Sequence, residues 1–81
     1  MEKITIYAFG VLKDFFSEKS ERSLPLPYTG RDILDLLVKE KPLAEKTLKA
    51  TRIAINEELI SLDAEIDTIA DIYLLPPSSG G

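Results

Sequence analysis

Only one stretch of this chain carries an apolar stripe at helical spacing long enough to cover a sheet. It runs through Ile33, Leu34, Leu36, Leu37 and Val38, positions that gather on one broad helix face. Tyr28-Thr29-Gly30-Arg31-Asp32 reads as its start. Thr29 is placed to cap, and Asp32 completes a short capping box and sets an anion at the positive end of the helix dipole. The helix ends by Lys41, because Pro42 disfavours helical geometry in the residue before it. A lone helix of this kind must bury its stripe against a sheet. The expected fold class is therefore α+β, a mixed sheet with one main helix packed on one face and the other face open.

The strands can be read by alternation. In Lys3 to Phe9, Ile4, Ile6 and Ala8 point one way and Thr5, Tyr7 and Phe9 the other. Apolar groups on both faces predict a central strand, or one whose second face meets a partner. Gly10 punctuates it, and Val11, Leu12, Phe15 and Phe16 predict one stripe of a short helix ending near Ser17. Ser17 to Ser23 reads as a loop, and Arg22 to Leu26 as a second strand that Pro25 confines to an edge. Pro42 opens a second short helical turn with Leu43, Ala44, Thr47 and Leu48 on one side. Arg52 to Asn56 is a third strand with Ile53 and Ile55 inward, and Asn56-Glu57-Glu58 is a turn signal. Leu59, Ile60 and Leu62 give a short strand. Ser61 to Asp71 is mostly connection, anchored by Ile66 and Ile69, and Ile72 to Leu75 is the last strand. The two terminal strands are the most apolar, so they are expected side by side at the sheet centre.

Composition narrows the chemistry. At 81 residues the chain is one domain, able to bury roughly 60–65% of its unfolded surface. Cysteine and histidine are absent, which excludes disulfides, thiolate catalysis, Cys/His zinc sites and a histidine general base. The acidic residues are scattered, with no close pair in an apolar stretch to suggest a raised pKa. Gly10 and Gly30 are isolated and form no phosphate loop. The net charge of −4 disfavours nucleic acid and suits a basic protein partner. Lys39, Lys41, Lys46 and Lys49 read as solvated helix surface rather than as a basic binding face. No apolar run approaches a membrane span, and Met1-Glu2-Lys3-Ile4 is not a signal peptide, so a cytoplasmic location is expected.

What remains is the ending, Leu74-Leu75-Pro76-Pro77-Ser78-Ser79-Gly80-Gly81. Consecutive prolines forbid helix and interior strand and favour an extended path. Nothing after them is apolar. Residues 1–75 are expected to form the domain, and 76–81 an arm of Pro76, Pro77, Ser78, Ser79, Gly80 and Gly81. Fully extended, it would reach roughly 20 Å. A small polar terminus is often only frayed, but this one leaves directly from a strand, is stiffened at its base, and ends a chain with no other reactive group.

The opening strand with Phe9-Gly10, the Ile53-Ala54-Ile55-Asn56 segment and the closing Leu75-Pro76-Pro77-Ser78-Ser79-Gly80-Gly81 together resemble the MoaD/ThiS family of ubiquitin-like β-grasp sulfur carriers. The likeness spans essentially the whole chain and is nearest the molybdopterin synthase branch. It implies a β-grasp with the first and last strands paired in parallel. It also implies that Gly81 is adenylated by an E1-like activating enzyme using ATP, then converted to a thiocarboxylate by a sulfur donor protein. The sulfur would pass to a pterin precursor in the large subunit of molybdopterin synthase, with no cofactor bound and no catalytic residue supplied by this chain. A carboxylate with a pKa near 3.5 is an anion at neutral pH and a poor electrophile, which is why activation must come first. Gly80 would let the arm follow a narrow channel. Phe9, Leu59 and Leu75 are the candidate partner-binding residues, with Pro76 and Pro77 at the channel mouth. Alternatives are a thiamin-pathway sulfur carrier and a protein modifier joined to targets through Gly81. One departure stands out: the family's Asp-Gly-Asp turn is replaced by Asp67-Thr68-Ile69-Ala70-Asp71, where Ile69 is expected to plug the core.

Overall fold

The computed structural model describes residues 2–77. Strands β1 (Glu2–Ala8), β2 (Lys19–Leu24), β4 (Arg52–Ile55), β5 (Glu58–Ile60) and β7 (Asp71–Leu75) form one sheet in the order β2-β1-β7-β4-β5. A small second sheet pairs β3 (Tyr28–Thr29) with β6 (Glu65–Ile66). Helix α1 spans Gly30–Glu40 and α2 spans Glu45–Lys49, with short 3₁₀ turns over Gly10–Asp14 and Pro42–Ala44. The terminal strands do lie together: β1 and β7 pair in parallel from Thr5↔Asp71 to Ala8↔Leu74, while β2, β4 and β5 join by antiparallel pairing.

α1 forms where its capping residues place it. The Thr29 hydroxyl accepts from the Asp32 N–H at 3.1 Å, and the Asp32 carboxylate accepts from the Thr29 N–H at 2.9 Å. Such a cap contributes about 1 kcal/mol. Ile33, Leu34 and Leu37 then pack down onto Ile4 and Ile6 of β1, Ile53 of β4, and Ile72 and Leu74 of β7. Each such side chain, fully buried, contributes about 1.5–3 kcal/mol. At the N-terminal end the Arg31 guanidinium meets Asp63 at 2.9 Å and holds that carboxyl below the usual carboxylate range. Both groups are solvated, so the pair fixes direction more than stability.

Several sequence expectations are corrected. β2 begins at Lys19, inside the stretch read as a loop, because pairing with β1 from Tyr7↔Lys19 to Glu2↔Leu24 satisfies its backbone without an apolar face. Pro25 ends that strand rather than lying within it. Val11 is exposed, while Leu12 and Phe16 point into the core, since the tighter 3₁₀ turn rotates Val11 outward. Leu43 is 91% exposed, and the inward positions of the second helical segment are Ala44 and Leu48. Ile69 is 60% exposed and plugs nothing. Ile66, the other anchor expected in this stretch, does join the core, drawn in by the β3–β6 pairing, and the Tyr28 hydroxyl donates to the Thr68 carbonyl at 3.3 Å. Lys39, Lys41, Lys46 and Lys49 are all exposed, with Lys49 3.5 Å from Glu45, as a solvated surface requires.

Candidate functional site

Helix α1 covers one face of the main sheet, and the opposite face is left open. Strand alternation decides what appears there. Ile4, Ile6, Ile53, Ile72 and Leu74 turn inward, so Tyr7 and Phe9, Ala54, and Tyr73 and Leu75 turn outward. The register puts Tyr7 beside Tyr73, and Tyr73 beside Ala54, which in turn faces Leu59. The result is a row of apolar groups across the open face. Tyr7 and Tyr73 stack with centroids 4.7 Å apart at 9°, and Phe9 stacks on Tyr73 at 6.1 Å. Offset aromatic pairs of this kind add about 0.5–1.5 kcal/mol beyond burial.

Beside this row runs a groove of about 550 Å³ with Phe9, Leu59, Tyr73 and Leu75 along it and Glu57 and Asp71 on its rim. The three residues read from the sequence as a docking set are brought together here. Phe9 is 41%, Leu59 61% and Leu75 36% exposed, so none is ordinary core. Tyr73, Glu57 and Asp71 were not singled out by sequence. Tyr7 and Tyr73 share outward parity on the terminal strands, but their adjacency follows from a register that parity alone does not specify.

The arm root is built by the same strand pair. Ala8 lies opposite Leu74, so Phe9-Gly10 runs alongside Leu75-Pro76. Gly10 has φ +56°, and a Cβ there would sit 3.2 Å from Pro76 Cγ. The Leu12 N–H donates to the Phe9 carbonyl at 3.1 Å and holds the turn in this shape. Leu74 is fully buried, and this buried residue, the brace at Gly10 and the partly buried Pro76 together set where the chain leaves the sheet. From sequence Gly10 was only punctuation; its contact with Pro76 depends on the parallel pairing. The remaining arm positions, Ser78, Ser79, Gly80 and Gly81, lie outside the described residues.

Gly10→Ala is expected to lower the melting temperature by about 5–15 °C, since left-handed backbone costs about 1–2 kcal/mol for a residue with a Cβ. Thermal denaturation followed by circular dichroism checks this. An unshifted melt would show that neither the strain nor the Pro76 contact matters.

Among the described residues, the acids lining the groove, Glu57 and Asp71, are exposed. Among the described residues no group of His, Cys, Asp or Glu is arranged to hold a metal ion, and no helix is long and apolar enough to cross a membrane. The geometry offers an exposed apolar groove and a fixed exit for the chain.

The ThiS family model matches residues 6–81. No curated protein sequence matches the chain. The fold is similar to SAMP1 from Haloferax volcanii, with a TM-score of 0.79 at 22% identity over 99% of this chain and 100% of that one. It is also similar to a Pyrococcus furiosus protein assigned as molybdopterin converting factor subunit 1, with a TM-score of 0.78 at 19% identity over 94% and 98%. A third similar structure is a complex of subunits 1 and 2 of the molybdopterin-converting factor from Helicobacter pylori. It gives a TM-score of 0.66 at 25% identity over 99% of this chain and 100% of that one.

Proposed function

The chain belongs to the ThiS family and has the ubiquitin-like β-grasp fold, and from that premise we propose that it is the sulfur-donating small subunit of a molybdopterin synthase. The observation that carries this reading is the path of β7. A central strand, paired on both sides, runs out beside an exposed apolar groove directly into Pro76-Pro77 and the Gly80-Gly81 ending. The domain holds the arm, and the arm carries the reactive group.

In this reading the Gly81 carboxylate attacks the α-phosphorus of ATP on an activating enzyme, forming the acyl-adenylate and releasing pyrophosphate. Hydrosulfide supplied by a sulfur donor then attacks the acyl carbon and expels AMP, leaving the thiocarboxylate. The groove seats the large subunit of the synthase, whose pocket receives the arm and passes the sulfur to a pterin precursor. The Helicobacter pylori relative is a complex of two subunits, which supports a docked large-subunit partner here. The absence of cysteine and histidine agrees with a chain that relies on its partners for catalysis.

Intact-mass measurement of the chain purified from cells tests this. A fraction should be heavier by the difference between sulfur and oxygen, with the change localised to Gly81. Conjugates at the added mass of a target protein would assign the chain to protein modification instead. Docking is tested by Leu59→Arg. It should leave stability within about 0.5 kcal/mol, because Leu59 is largely exposed. It should weaken binding to the large subunit by on the order of 100-fold, as expected for placing a charge in an apolar contact.

A further inference from the structure

The groove beside the arm root is apolar along its length, but its two ends differ in charge. At the far end Glu57 and Asp71 present carboxylates, and neither has an ion-pair partner among the described residues. At the arm end Arg52 pairs opposite Leu75 in the sheet. Asp71 and Leu75 are four residues apart on one strand, about 13 Å. The β4–β7 pair therefore carries carboxylates at one end and a guanidinium at the other, along the direction in which β7 runs toward Pro76.

Glu57 stands at a position that works against it. The β4–β5 hairpin closes through Asn56 and Glu57, with φ of +53° and +67°. This two-residue turn requires left-handed backbone at both positions, which Asn tolerates and glycine suits best. Glutamate there is strained. Backbone strain at an exposed turn is a reason to look for a use of the side chain, and this side chain lies on the rim of the groove.

We propose that the groove is a directional docking surface for a protein that sets an arginine or lysine against Glu57 and Asp71 and an apolar ridge against Phe9, Leu59 and Leu75. This rests on the reading of the open face as the large-subunit contact. Closing an apolar groove over two unpaired carboxylates strips their water, and the cost is met only if the partner brings a cation. Apolar contact alone has no direction. The charge gradient rejects the reversed seating, in which the partner's cation would meet Arg52 and the arm would point away from the partner's pocket.

The test uses the full chain and the purified cognate large subunit, titrated calorimetrically at low and at physiological salt. Glu57→Gly should raise the melting temperature by about 2–6 °C by relieving the turn, yet weaken binding about 3- to 10-fold. Glu57→Lys combined with Asp71→Lys should weaken it on the order of 100-fold and reduce the salt dependence. Glu45→Lys, on the helical side, should leave binding unchanged. If both groove variants bind as tightly as the parent while Leu59→Arg does not, the charge assignment is overturned and the docking face stands. If the parent chain fails to bind, or Leu59→Arg binds normally, the docking reading itself falls. A chain that is dimeric until Leu59→Arg makes it monomeric would show that the groove takes a second copy, which also overturns the proposal.

Discussion

Removal of Gly80 and Gly81 is expected to abolish sulfur transfer while leaving the melting temperature nearly unchanged. The described core is complete without them: its last member is Leu74, and the sheet register ends at Leu75. In the proposed carrier function the chemistry is not complete without them. Thiocarboxylate formation needs an unhindered carbonyl at the end of the arm, and a chain ending at Ser79 would offer a shorter reach and a carboxylate flanked by a Cβ. Single-turnover transfer with the activated chain, measured beside a thermal melt, separates the two contributions. A large fall in melting temperature would assign the glycines to the fold. Undiminished transfer would sink the carrier reading.

The second large effect lies in the core. Leu37→Ala removes a side chain that is 1% exposed at the centre of the α1 stripe. Leu→Ala cavities in packed interiors cost about 2–5 kcal/mol, which for a domain this small lowers the melting temperature by about 10–30 °C. Leu43→Ala removes the same atoms from a position that is 91% exposed, and should shift stability by less than about 0.5 kcal/mol. Chemical denaturation of both variants gives the comparison directly. Equal effects would mean that the helix does not cover the sheet through Leu37.

That pair of leucines shows where sequence reading works and where it stops. Leu37 belongs to a stripe sustained over several turns, so its direction is over-determined by its neighbours. Leu43 belongs to a short segment of 3₁₀ turn followed by α2. There the change in residues per turn shifts which side faces inward. Ile69 failed for a related reason. Ile66 and Ile69 both read as anchors because both are apolar, but the two-residue β3–β6 pairing draws in Ile66 alone. β2 was misplaced because its residues, Lys-Ser-Glu-Arg-Ser-Leu, carry almost no apolar alternation. It is a strand because β1 offers it an edge.

The exposed apolar residues of the open face were legible for a different reason. Phe9, Leu59 and Leu75 are apolar at positions where their strands' alternation calls for the outward face, a conflict that a local pattern displays. Tyr73 shares that outward parity, whereas Glu57, Asp71 and Gly10 give no such signal.

The capped helix and the inward faces of the terminal strands were determined by the sequence alone, because capping and periodicity act between near neighbours. Only the tertiary structure decided that β7 lies parallel to β1 in the register that stacks Tyr7 on Tyr73, braces Pro76 against Gly10, and sets two carboxylates at the far end of the groove. Register is chosen by the packing of α1 across several strands at once, a sum over distant residues that no single stretch of chain contains.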